Sequence, residues 1–181
     1  MMTSQTNKIF FDTDCLSAFL WVNNESLLPI LYPGKIVIPE QVYVELSNPR
    51  VSHLKNRIDE LVKAKKVTIQ EIDISSDEYQ IYYKLTEAPD SGHKIIGNGE
   101  AASIALAKQY NGIVASNNLK DIQIYIDEFN LQHKTTGDIL VEAYNLKLIT
   151  EEEGNYIWEQ MINKRRKLGA NTFSEYLKNK G

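Results

Sequence analysis

A chain of 181 residues with 43% hydrophobic content can bury a full core, and a single folded unit is the default at this length. The formal charge of −4 does not advertise a nucleic-acid binder, and the single cysteine, Cys15, excludes an intramolecular disulfide or a cysteine-rich zinc site and fits a reducing cytoplasm. No apolar run reaches the roughly 18 residues of a membrane helix, and Asp12 cuts the stretch Ile9–Phe11 before it can form a secretory signal.

In chain order, Lys8 to Asp14 reads as a short buried strand that ends on acids and passes into a helix carrying Leu16, Phe19, Leu20 and Trp21. Asp12 or Thr13 suits the cap of that helix, and a cap needs only one acid. A strand that stops on Asp-x-Asp also sets Asp12 at the carboxyl edge of a sheet. Pro29 to Gly34 reads as a turn-rich connection. Lys35 to Pro39 is a second strand, closed by a proline that can open the helix Glu40–Ser47. In that helix Val42, Leu46 and Tyr43 face the core, and Glu45 lies at the border of the apolar face. His53 to Lys66 is amphipathic through Leu54, Ile58, Leu61 and Val62, and Val67 to Ile72 alternates like a strand with one open face.

Asp77 to Leu85 predicts a helix with Tyr79, Tyr82 and Tyr83. The segment from Glu87 to Asn98, with Pro89, Ser91, Gly92 and Gly97, predicts a mobile loop bearing His93 and Lys94 as candidate phosphate contacts. Glu100 then stands where a glycine-rich turn enters a helix. Ala101, Ala102, Ile104, Ala105, Leu106 and Ala107 make that helix apolar nearly all round, which predicts burial against a sheet. A short apolar strand follows and ends in Ser116, Asn117, Asn118 and Asp121. A helix start and a strand end bring Glu100 and Asp121 toward one edge, where open α/β sheets hold their ligands. Two carboxylates there repel by about a few kcal/mol, so they protonate, splay or hold a cation.

Beyond Asp121 the pattern predicts a helix over 122–129, a strand near 131–134, and a helix after Gly137 with Ile139, Leu140, Ala143 and Tyr144. From Thr150 another helix carries Trp158, Met161 and Ile162 and ends on Lys164, Arg165, Arg166 and Lys167. Those cations either compensate the helix dipole or meet phosphates, being the dense positive patch of an acidic protein.

Asp12, Glu45, Glu100 and Asp121 thus fall near carboxyl-edge positions together. Here the chain resembles the PIN domain family of metal-dependent nucleases. The resemblance rests on Phe11-Asp12-Thr13-Asp14, on Pro39 to Leu46 with its Glu45, on Gly99-Glu100 and the alanines after it, on Ser116 to Asp121, and on Thr136-Gly137-Asp138. It implies an α/β fold, a three-layer α/β/α sandwich around a mostly parallel sheet, over residues 1–150, with 151–181 as extra C-terminal helices packed on the same domain.

The resemblance also implies the chemistry. The four acids would form a catalytic site, with Asp12, Glu100 and Asp121 as ligands of Mg2+ or Mn2+ and Glu45 finishing the cage or orienting water. Ser116, Asn118 and Asp14 would support them, and Lys164 to Lys167 would bind nucleic acid. The expected activity is endoribonuclease, acting on RNA rather than DNA, in a cytoplasmic toxin held by an antitoxin and forming a homodimer. Rival readings are an inactive PIN-like module that binds RNA or protein, favoured by Asn117 and Asn118, a phospho-receiver using Asp73, and an antitoxin-like or structural protein without a ligand.

Overall fold

The computed structural model describes residues 7–181. In chain order it runs β1 (Ile9–Phe11), α1 (Thr13–Trp21), α2 (Leu27–Leu31), β2 (Ile36–Pro39), α3 (Glu40–Glu45), a 3-10 turn (Pro49–Val51), α4 (Ser52–Lys63) and β3 (Thr68–Gln70). Then follow α5 (Asp77–Thr86), α6 (Asn98–Tyr110), β4 (Ile113–Ala115), α7 (Leu119–Glu128), β5 (Gln132–Lys134), α8 (Thr136–Asn145), α9 (Glu151–Asn163) and α10 (Phe173–Lys180).

The five strands form one sheet in the order β3-β2-β1-β4-β5, every pair parallel, with Phe10 opposite both Val37 and Val114. The chain winds outward from β1 on one side through β2 and β3, and on the other through β4 and β5. The direction of winding reverses between β1 and β4, and in such sheets the crevice beyond the strand ends at that point is where ligands bind.

Alternation along β1 sorts the core into two layers. Ile9 and Phe11 join Leu16, Phe19, Leu20, Ile58, Leu140 and Trp158, whereas Phe10 joins Val37, Ile104, Val114, Ile122 and Tyr125. Helices therefore cover both faces, as a period-two strand with apolar residues at every position requires. Helix α6 lies across β1, β2 and β4, and residues Ala101 to Ala107 are fully buried. Its alanines let the helix backbone come close to the sheet, which fixes where its first turn stands.

The C-terminal helices share this core. Ile157, Trp158, Met161, Leu168 and Phe173 belong to the same cluster as Ile9 and Phe11. Helix α10 docks through two glycines: Phe173 sits against Gly154 and Tyr176 against Gly137, where an added methyl would collide with the rings. Among the described residues no helix is long and apolar enough to cross a membrane.

Three local expectations change. Pro29 lies inside α2 rather than in a turn, because a proline in the first helical turn forfeits no hydrogen bond. Helix α7 begins at Leu119, so Asp121 belongs to its first turn. The segment 87–98 is clamped at its centre: the Tyr125 hydroxyl donates to the Lys94 carbonyl and accepts the Lys94 N–H at 3.1 Å, and Ile96 N–H donates to the Leu85 carbonyl at 3.0 Å.

Candidate active site at the carboxyl edge of the sheet

Asp12 follows directly on β1 and is fully buried. It caps α1 in an extended conformation, Oδ1 accepting the Cys15 N–H at 2.8 Å. Its other oxygen, Oδ2, has no hydrogen-bond partner. Capping and a site role are therefore not alternatives, since each uses a different oxygen. Burial pushes the Asp12 carboxyl up from its ordinary 3.8 to about 7; the Ser116 hydroxyl and the Cys15 N–H pull against that rise, and the charges of Asp14 and Glu100 add to it.

Glu100 is the third residue of α6. Its Oε2 turns back to accept the Gly97 N–H at 3.3 Å, the glutamate half of a capping box, since glycine has no side chain to supply the other half, and its Oε1 accepts from the Asn118 side-chain amide at 2.7 Å. Burial raises this carboxyl above the ordinary range, with the charges of Asp121 and Asp14 adding to the effect. The same Asn118 nitrogen donates to Asp121 Oδ2 at 2.7 Å. One amide therefore stands between two carboxylates and gives each a proton donor. Ser116, buried at the end of β4, accepts the Asn118 N–H at 3.2 Å and joins this group to Asp12.

Glu45 is placed differently from the other acids. Its Oε1 accepts the Gly99 N–H at 3.1 Å and its Oε2 accepts from the Thr13 hydroxyl. It ties the first turns of α1 and α6 together; like Asp12 and Glu100 it lies behind the cleft that opens at the site, whose lining among the four acids is Asp121 alone. Thr13 has no side-chain signal in the sequence beyond its place in Asp-Thr-Asp.

That cleft encloses about 440 Å³. Asp14, Asn117, Asn118, Lys120 and Asp121 line it together with Arg165, Arg166 and Lys167 from the segment after α9. The basic run after α9 thus faces the acids, with one exception. Lys164 lies over the Trp21 ring at 5.6 Å and does not reach the cleft, because Arg165 takes a positive φ of 61° and turns the chain. Arg166 is held by the Lys164 carbonyl at 3.0 Å and the Ser17 hydroxyl at 3.1 Å. Arg165 and Lys167 are exposed and have no acidic partner among the described residues.

Other candidates prove to be structural. Asn117 spends both ends of its amide on Thr136, at 2.8 and 2.7 Å, and so orders the start of α8. His93 lies 2.7 Å from Glu128 and packs on Tyr125, so it belongs to the clamp on segment 87–98; the same tyrosine fixes the backbone of Lys94, whose side chain is exposed. Asp73 is exposed after edge strand β3 and accepts from the Ser75 hydroxyl and N–H, which leaves nothing of a central acceptor site.

No three His, Cys, Asp or Glu side chains among the described residues stand close enough to cage an ion as they are now turned. The cause is visible: the Asn118 amide occupies the gap between Glu100 and Asp121. The donor set still suits a hard divalent cation. Its donors are carboxylate oxygens, one of them buried without a partner, and two of its acids are raised by burial and mutual charge.

A sequence-family model described as a PIN domain matches residues 8–181, including the C-terminal helices. No curated protein matches the chain.

Proposed function

The chain belongs to the PIN domain family, a family generally of nucleases, and from that premise we propose that it is a Mg2+- or Mn2+-dependent endoribonuclease. The reading is carried by Asp12 Oδ2, a buried carboxylate oxygen that accepts no hydrogen bond of its own, in a carboxyl on which the charge of Glu100 and the hydroxyl of Ser116 both act. Leaving such an atom unpaired costs about 1–3 kcal/mol or more, a cost that a bound cation removes. Asp12, Glu100 and Asp121 would hold the ion once the Asn118 side chain turns aside.

When bound, the ion would activate water and neutralise charge at the scissile phosphate. The remaining work falls to the chain. The Cys15 N–H holds Asp12 in orientation, and the Gly97 N–H and the Asn118 amide hold Glu100. Arg165 and Lys167 would draw phosphates of the strand against the repulsion of the acids. Glu45 keeps the first turns of α1 and α6 in register, so that the acids they carry stay together.

RNA as substrate, an antitoxin partner and a homodimer belong to the proposal as what the resemblance to the PIN family implies. A second reading, a PIN-like module without activity, is favoured by one observation: Asn118 supplies a neutral amide beside Glu100 and Asp121. Cleavage of labelled single-stranded RNA with Mg2+ or Mn2+, by wild type and Asp12→Asn, separates the two. Metal-dependent cleavage that falls to background in the variant is expected. Equal cleavage by both proteins would overturn the site, and no cleavage by either would favour the inactive module.

A further inference from the structure

Asn117 and Lys167 line not only the acidic cleft but also a second cleft beside it, of about 470 Å³, between the starts of α7 and α8 and the later turns of α10. Each has the volume of a pocket for a small organic group such as a nucleotide. Leu119 and Leu168 give the second cleft an apolar wall, and Lys180 stands at its rim. None of these residues takes part in holding the acids.

We propose that this second cleft is a nucleotide subsite, which receives the residue of a single-stranded RNA next to the scissile phosphate. The inference rests on the nuclease reading above and extends it. Charge runs in the right order along the path. The acids at one end repel phosphate unless a cation is bound, whereas Lys167 at the junction is an exposed cation without an acidic partner among the described residues. Lys180 lies beyond it, half exposed and 2.7 Å from Asp138. Two lysines against one aspartate leave this stretch net positive, so the phosphates on either side of the subsite are attracted where the scissile one is not.

The floor explains how such a site would read its ligand. Asn117 gives one amide N–H and its carbonyl oxygen to Thr136, and the Tyr176 hydroxyl is shared between Thr135 at 2.9 Å and Asp138 at 2.8 Å. Between them only the second Asn117 N–H is left over, short of the paired contacts that read a base edge. A base would be held by contact with Leu119 and Leu168 and its phosphate by lysine, which makes the subsite responsive to strand length more than to sequence.

The test uses the whole chain and two variants, Leu119→Trp to fill the apolar wall and Lys180→Ala to remove the distal cation. Labelled RNA is lengthened from a dinucleotide one residue at a time. Cleavage is followed in wild type and both variants, and binding by fluorescence anisotropy in an Asp12→Asn background. Wild type is expected to gain cleavage efficiency and affinity as the strand grows on one side. Both variants should lose that gain while cutting the dinucleotide as wild type does, and Lys180→Ala should flatten the salt dependence of binding to the longer strand by a slope of about 0.7. An unchanged dependence on length in both variants, with melting midpoints showing them folded, would overturn the subsite and leave the second cleft to a protein partner. If no strand is cleaved at all the nuclease reading fails, while the binding series still decides the subsite.

Discussion

The side-chain nitrogen of Asn118 lies 2.7 Å from Glu100 Oε1, and Asp121 Oδ2 accepts from that same nitrogen. A neutral amide thus softens a repulsion that a cation would relieve more completely. Asn118→Ala removes a donor shared by two carboxylates and should destabilise the metal-free protein by about 1–3 kcal/mol. At about 2–4 °C per kcal/mol for a chain of this size, the melting point drops by several degrees. Saturating Mn2+ should then raise the melting point of the variant more than that of wild type, because the ion has more repulsion to relieve. A smaller metal-induced rise than in wild type would mean that Asn118 helps to hold the ion.

Asp12 fixes the sign of the pH dependence. Its carboxyl is raised by burial from 3.8 to about 7, so between those values the folded chain keeps a proton that the unfolded chain has already released. Stability therefore falls as pH rises through that window, and above about pH 7 the penalty is fully present, on the order of 4 kcal/mol for this group alone. The raised carboxyl of Glu100 acts in the same direction. Asn is as good a helix cap as Asp, so Asp12→Asn keeps the hydrogen bond to Cys15 and discards the buried charge. Without added metal at pH 8, this variant should melt above wild type; at pH 4 the two should converge. Urea titrations at both values check it, and a wild type more stable than the variant at pH 8 in chelator would refute the assignment.

Much of this arrangement was legible in the residues. Strand β1 could be read from Ile9-Phe10-Phe11, and burial of α6 followed from its alanines. Two strand ends and a helix start point Asp12, Glu100 and Asp121 to one edge. What could not be read depends on side chains that meet from distant elements. Proline and glycine in 87–98 announce a loop, but the tyrosine that clamps it lies on α7. Four consecutive cations look alike in sequence, yet the turn at Arg165 sends Lys164 to Trp21 and its neighbours to the cleft. Glu45 reads as a site acid from the border of the apolar face and from the family resemblance, and what its residue type does not reveal is that its hydrogen bonds go to Gly99 and Thr13.

Gly154 lies inside α9, where glycine normally weakens a helix by about 1 kcal/mol relative to alanine. Here alanine should not stabilise, because its methyl would collide with the ring of Phe173, itself fully buried. Overpacking of this kind costs about 1–3 kcal/mol and outweighs the gain in helix propensity. Gly154→Ala should lower the melting point, and hydrogen exchange should show α10 losing protection before the sheet does. A variant as stable as wild type with α10 still protected would mean that Phe173 moves aside without cost.

Glu45 offers a division between charge and position. Glu45→Gln retains an oxygen for the Gly99 N–H, while Glu45→Ala leaves both that N–H and the Thr13 hydroxyl without their acceptor. If the residue acts by holding the first turns of α1 and α6, the alanine variant should lose about 1–3 kcal/mol and the glutamine variant much less. Cleavage should follow the same order, with glutamine retaining most of the activity. The metal concentration for half-maximal thermal stabilisation should hardly change in Glu45→Gln, because the carboxylates assigned to the ion are untouched. A glutamine variant that is fully stable but needs far more Mn2+ would show that the charge of Glu45 reaches the ion, and would return this residue to the metal site.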